Sequence, residues 1–257
     1  MNEDRPSYEP ELLEDTVPAQ TPQPRLGSGA RLLAMFTTPA KVFEDIRIRP
    51  SWILVLVAMI LLSIGAQIVV RHHLDLEGSI IENMERMGQD VSEAQLDRIV
   101  ARAEKWSVAG FLVTIVVTPL LMILLAGIFL VSLRTTGGDT DFRTTFSTML
   151  HAFWPPGLVS SIVTMAVISR MGMVSQQALR HAVKSNLAAF LPQTAPKWQA
   201  ALAGSLDIFS IWVVVLLVLG FSITARISKG RAAVAVLVPW AVYVAGKVVL
   251  AMVVPGM

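Results

Sequence analysis

Few side chains in this sequence have a type and position suited to chemistry. Lys247 is the one full charge deep inside an apolar run, and an ionisable residue in hydrocarbon is by default a functional candidate. Three readings of it stand side by side. Its ammonium pairs with Asp207, or it snorkels about two helical turns to the nearer membrane surface, or it serves a transported solute. Asp207 opens another apolar run, where a carboxylate suits the unpaired N–H groups of a helix start. His151 precedes Trp154-Pro155-Pro156, and prolines remove helix hydrogen bonds. That stretch either kinks a packing helix around a satisfied histidine or builds a substrate site of the kind transporters use. Gln67 is the strongly polar residue inside the first apolar run and suits an interhelical hydrogen bond.

Catalytic constellations are missing. The sequence has no His-Glu-x-x-His, no Gly-x-Ser-x-Gly elbow, no phosphate loop and no paired carboxylates inside an apolar run. Its histidines, His72, His73, His151 and His181, lack metal-ligand spacing, since adjacent His72 and His73 point apart on a helix. The absence of cysteine removes disulfides, thiolate metal sites and cysteine nucleophiles. A formal charge of +2 is too small to argue for nucleic acid. Neither an enzyme nor a cofactor is expected.

The elements that must carry these residues follow from composition. Of 257 residues, 54% are hydrophobic and 16% charged, against about 25% charged in soluble domains. Mean hydropathy is +0.61. A soluble domain could not hide that much apolar surface, so a soluble enzyme is excluded. The apolar residues fall into five runs, about 51–70, 108–133, 146–168, 208–225 and 232–254. Each is close to the ~20 residues that cross ~30 Å of hydrocarbon as a helix, and backbone groups in lipid must be satisfied internally. The reading is an all-α integral membrane protein with five transmembrane helices.

Residues 1–29 are acidic and proline-rich and read as a disordered tail. Over 30–49, Leu32, Leu33 and Phe36 recur at helical spacing, Thr38-Pro39 resembles an N-cap with proline at N1, and Val42, Phe43 and Ile46 continue an apolar face among cations. This amphipathic segment either lies in the headgroup plane or packs on the ends of the spans. Two long helical loops follow. In the acidic one, Ser92 and Gln95 fit a capping box, and Leu96, Ile99, Val100 and Ala103 run into the second span. The other, from Arg170 to Leu206, carries cations and no acid. The two either face each other by charge or are solvated separately. Cations crowd the 226–231 loop and the flank before the first span, which places the N-terminus in the cytoplasm and, after five spans, the C-terminus outside.

Several local patterns together resemble the Yip family, the Ypt/Rab GTPase-interacting multi-pass membrane proteins, and particularly its bacterial members. They are Phe36-Thr37-Thr38-Pro39 with Val42-Phe43, and Gly137-Gly138 with Phe142 and Phe146 leading to Pro155-Pro156. Leu206-Asp207-Ile208-Phe209-Ser210-Ile211-Trp212 with Leu216 to Gly220, and a last span after Gly230-Arg231-Ala232, complete the set. The resemblance covers roughly residues 30–254 and implies five membrane helices with a cytoplasmic N-terminus. It brings no catalytic residues. In eukaryotes the family is associated with vesicle trafficking, membrane shaping and small-GTPase binding. The two long outer loops depart from that pattern, so a GTPase partner is not carried over.

The expectation is a non-enzymatic membrane-organising or protein-interaction factor of the plasma (inner) membrane. Its partners would be the lipid bilayer, other membrane proteins or a second copy of itself. Asp207, Lys247, Gln67, His151, Pro155, Pro156 and Trp212 are its structural or interaction positions. The alternative is a small-solute or ion transporter, or an accessory subunit of one.

Overall fold

The structure, a computed structural model, describes residues 26–253 apart from 90–91, 177–178, 180–182, 184 and 193–194. The expected acidic tail therefore lies outside the described residues as far as residue 25. Described residues form helices joined by turns and two isolated β-bridges. In chain order the helices are α1 (Ser28–Thr37), α2 (Pro39–Ile48), α3 (Ile53–His73), α4 (Leu76–Arg86), α5 (Glu93–Thr135) and α6 (Phe142–Ile168). A 3-10 turn (Leu187–Phe190), α7 (Lys197–Ala203), α8 (Ile208–Thr224) and α9 (Lys229–Val253) follow.

The all-α membrane architecture expected from hydropathy is borne out. Helix α3, residues 109–135 of α5, α6 and α9 are long and apolar enough to cross a membrane, and α8 is a shorter apolar helix of 17 residues. At 1.5 Å per residue α8 reaches about 26 Å, a few ångströms short of a ~30 Å hydrocarbon core. The second span is the end of a longer object. Ser92 and Gln95 close their capping box, and the loop helix runs without a break into the membrane as a single 43-residue helix. That is about 64 Å of helix, about twice a ~30 Å hydrocarbon core, and its apolar part is residues 109–135. The other end of α5 stops at Gly137, whose φ of 85° lets Gly138 N donate to Leu133 O. This is the αL stop that glycine makes inexpensive.

Helix α6 is central: it packs along α8, α3 and α5. Its first half is polar for a membrane helix. Thr144, Thr145, Ser147, Thr148 and His151 are all buried. Exposure of that half to lipid would leave hydroxyls and an imidazole without good partners, so something must cover it. The cover is α1 and α2. They meet at Thr38 and fold back on each other as a helical hairpin against α6 and α8.

Val42, Phe43 and Ile46 on α2 are fully buried, as the periodicity of that stretch suggests. On α1 the buried residues are Arg31 and Met35, while Leu33 is 75% exposed. The stripe expected from Leu32, Leu33 and Phe36 is thus turned partly outward. An arginine faces inward because it has an acid to meet there. At Gly220 of α8 a Cβ would lie 2.8 Å from Thr148 Cγ2 and 2.9 Å from the Phe43 ring. Glycine is needed there for space, not for its backbone freedom.

At the opposite end the two long loops meet through the backbone. Asp75 N donates to Val174 O at 2.9 Å, Val174 N to His73 O at 2.9 Å, and Gln176 N to Ser79 Oγ at 2.8 Å. No ion pair joins the loops among the described residues; Arg180 and Lys184, on which part of the charge expectation rests, lie outside them. Gly220→Val should loosen the hairpin by about 1–3 kcal/mol through overpacking. It should lower the Tm in detergent, and the Phe43→Ala change should partly relieve it. An unchanged Tm for Gly220→Val contradicts this close approach.

Candidate functional sites

The residue that locks the hairpin is Arg31, 4% exposed. Its Nε donates to Asp45 Oδ2 at 2.7 Å across the hairpin. Its Nη1 donates to Arg49 O at 3.0 Å and to Ser51 Oγ at 2.6 Å, where α2 hands over to α3. A guanidinium suits this position because its fixed fork reaches several acceptors at once. Ser147 Oγ on α6 donates to Ser51 O at 2.8 Å, so the same junction is tied to the central helix. Trp154 Nε1 donates to Leu32 O at 3.2 Å and fastens α1 directly to α6.

His151 is buried, with Nδ1 2.8 Å from Ser147 O of its own helix. Trp154-Pro155-Pro156 does not interrupt α6, which is continuous over Phe142–Ile168. The prolines only deny the carbonyls of His151 and Ala152 their usual donors; both prolines are buried. Thr148 Oγ1 donates to Thr224 Oγ1 at 3.2 Å, joining α6 to α8. Gln67 Nε2 donates to Thr114 Oγ1 at 2.6 Å, joining α3 to α5.

At the loop end Lys247 and Asp207 do not form an ion pair. Lys247 Nζ instead donates to the buried Ser205 Oγ at 3.0 Å and lies 5.7 Å above the Tyr243 ring. Asp207 sits at the N-cap of α8 without a side-chain cap bond, and its buried Oδ1 has no hydrogen-bond partner among the described residues. The backbone bonds around it, Leu187 N to Leu206 O and Ile208 N to Ser185 O, pin the second loop to the start of α8. Equal depth of two groups does not set which way two helices turn their side chains. Among the described residues no group of three His, Asp or Glu is arranged to hold a metal.

Residues from separate stretches of the chain converge on the hairpin. The Phe36 ring meets Trp212 of α8 edge-on with centroids 6.4 Å apart. Phe43 lies against Gly220, Trp52 packs on Phe146 at 5.5 Å, and Gly138 approaches Ala225. The Yip1 domain model matches residues 33–250. The chain belongs to the Yip1 domain family. This is a membrane family, and the match runs from the middle of α1 nearly to the end of α9, so the hairpin is part of the Yip1 domain together with the spans. No curated protein and no solved structure matches the chain.

Sequence reading missed the role of Arg31, which looked like one more cation beside an apolar stripe. The available signal was its spacing from Met35, one turn on along the same helix face, with Asp45 at the mirror position of a hairpin centred on Thr38. Arg31→Met should leave the half-buried Asp45 without its partner and cost about 2–4 kcal/mol, read as a lower Tm in detergent. Asp45→Asn added to Arg31→Met should cost little more. At the other end, Lys247→Ala should cost about 0.5–1.5 kcal/mol, the worth of one hydrogen bond. Its effect should add to that of Asp207→Asn, and a coupling above about 0.5 kcal/mol in the double-mutant cycle contradicts the geometry described.

Proposed function

We propose that this Yip1 domain protein is a non-enzymatic membrane-organising or protein-interaction factor. It belongs to the bacterial branch of the family and acts in the plasma (inner) membrane. The observation that carries the reading is what its intramembrane polar groups are used for. Gln67 binds Thr114, His151 is held to Ser147 O, and Lys247 binds Ser205. The Gln67 bond joins α3 to α5 and the Lys247 bond ties α9 to the segment before α8, which is the structural use of polar residues in bundles. The His151 bond stays within α6, and all three leave those groups less available to a passing solute. The hairpin meanwhile presents Lys41, Glu44 and Arg47 on an exposed face of α2, suited to a polar partner surface.

The orientation follows from charge. The hairpin end gathers Lys41, Arg47, Arg49, Arg134, Arg143, Arg226, Lys229 and Arg231 against Glu44, Asp45, Asp139 and Asp141. An excess of cations close to membrane ends marks the cytoplasmic side. This charge excess supports a cytoplasmic hairpin and an outer C-terminus. Partners then include lipid, a second copy or another membrane protein.

The test is reconstitution of the full chain into liposomes, beside photo-cross-linking from positions 41 and 44 in the native membrane. A discrete cross-linked adduct and flux no greater than that of protein-free vesicles is the expected outcome. Flux of an ion or small solute that Lys247→Ala abolishes overturns the reading in favour of transport.

A further inference from the structure

The hairpin is closed at Thr38 and open at its other end, and the open end is a cleft. A space of about 600 Å³ lies there, lined by Ser28, Arg31, Asp45, Arg49, Ser51 and Arg143 among others. Arg31 and Asp45 neutralise each other. Arg49 and Arg143 are exposed, and among the described residues their guanidinium groups have neither a hydrogen-bond nor an ion-pair partner. The cleft therefore carries two uncompensated positive charges on two different elements, the end of α2 and the first turn of α6.

The level of the cleft is set by its neighbours. Trp52 follows it directly, the kind of residue that sits at the headgroup boundary. Ile53 and Leu54 come next, 65% and 43% exposed, and large apolar side chains bared at the start of a span face hydrocarbon. Arg49, Ser51 and Arg143 thus stand about one turn outside the apolar core, in the layer where lipid phosphates lie. The floor is rigid, because Arg31 ties Asp45, Arg49 O and Ser51 Oγ into one unit.

We propose that this cleft is a binding site for an anionic phosphate group, carried by a phospholipid headgroup or free in solution. Arg49 and Arg143 grip the phosphate oxygens from two sides. Guanidinium groups match phosphate by paired charge-assisted hydrogen bonds, and the Ser51 and Ser28 hydroxyls line the same space. This goes beyond the interaction role proposed above. A lipid bound between α2 and α6 would fasten the hairpin to the bilayer whether or not a protein partner also engages it.

The experiment is a binding titration of the purified full chain in uncharged detergent. The probes are dioctanoyl phosphatidylglycerol, inorganic phosphate, and dioctanoyl glycerol, which has no phosphate. Phosphatidylglycerol should bind saturably and dioctanoyl glycerol should not. The Arg49→Gln/Arg143→Gln variant should bind phosphatidylglycerol roughly thirty-fold more weakly, at about one headgroup-layer cation's contribution for each arginine. The Arg49→Lys/Arg143→Lys variant should bind with intermediate affinity, since it keeps the charge and loses the paired hydrogen bonds. Competition by inorganic phosphate at comparable concentration assigns the site to any phosphate, and its failure assigns it to the lipid headgroup. Both side chains are exposed and separate from the Arg31–Asp45 pair, so the variants should keep the wild-type Tm. Equal affinity of the glutamine variant for phosphatidylglycerol, or equal binding of dioctanoyl glycerol, overturns the proposal. Neither result depends on finding a protein partner or on the absence of flux.

Discussion

A membrane helix cannot carry a run of hydroxyls and a histidine against lipid, and α6 carries such a run over its first half. That mismatch organises the rest of the fold. Thr144, Thr145, Ser147, Thr148 and His151 are buried because α3 and α8 flank them and the α1–α2 hairpin closes over what remains. The hairpin in turn stays in place because Arg31 replaces water with Asp45, Arg49 O and Ser51 Oγ at the point where α2 passes into α3. Burying a guanidinium is costly unless its donors are engaged. The arrangement is consequently specific: the hairpin has a register in which Arg31 is satisfied, and slipping it by one residue strands a charge. Gly220 supplies the matching constraint from α8, since a side chain there would push away both Phe43 and Thr148.

The same economy explains what the polar residues of the spans are doing. Gln67–Thr114 and Thr148–Thr224 bridge neighbouring helices, and Ser132 Oγ on α5 reaches Ala235 O on α9 at 2.9 Å. In lipid, apolar contact between helices gains little over contact with acyl chains, so such bonds and close small-residue packing set which helix faces which. The charges, by contrast, are excluded to the two ends. Those ends differ in character: one is a packed hairpin with a basic rim, the other a pair of loops joined by backbone bonds at His73–Asp75 and Val174.

Much of this was legible in the residues. Five apolar runs, the capping box at Ser92, the turn at Gly137-Gly138 and the buried side of α2 follow from rules acting within a few residues of chain. The length of α5 is half visible, since the loop stripe of Leu96, Ile99, Val100 and Ala103 runs into the second span. The Arg31–Asp45 pair spans 14 residues and a turn, and nothing local distinguishes that arginine from Arg47 or Arg49. Of the readings open for Lys247, pairing with Asp207 is not the one the fold adopts, for the reciprocal reason. Two groups at equal depth on adjacent helices meet only if both helices are rotated to present them, and rotation is set by every other contact those helices make. Residues that carried the family resemblance meet in pairs, Phe36 with Trp212 and Phe43 with Gly220.

The sequence by itself therefore determined that this is an all-α membrane protein with several long apolar helices, and to which family it is similar. Hydropathy and turn chemistry act on neighbouring residues, and lipid leaves the backbone almost no alternative to the helix. Only the tertiary structure decided which polar groups serve as bonds between helices, which arginine is the buried one, and which two remain free at the mouth of the hairpin. Those assignments depend on helix rotation and on partners distant in sequence, and a charge acquires its role from the groups it meets once the chain has folded.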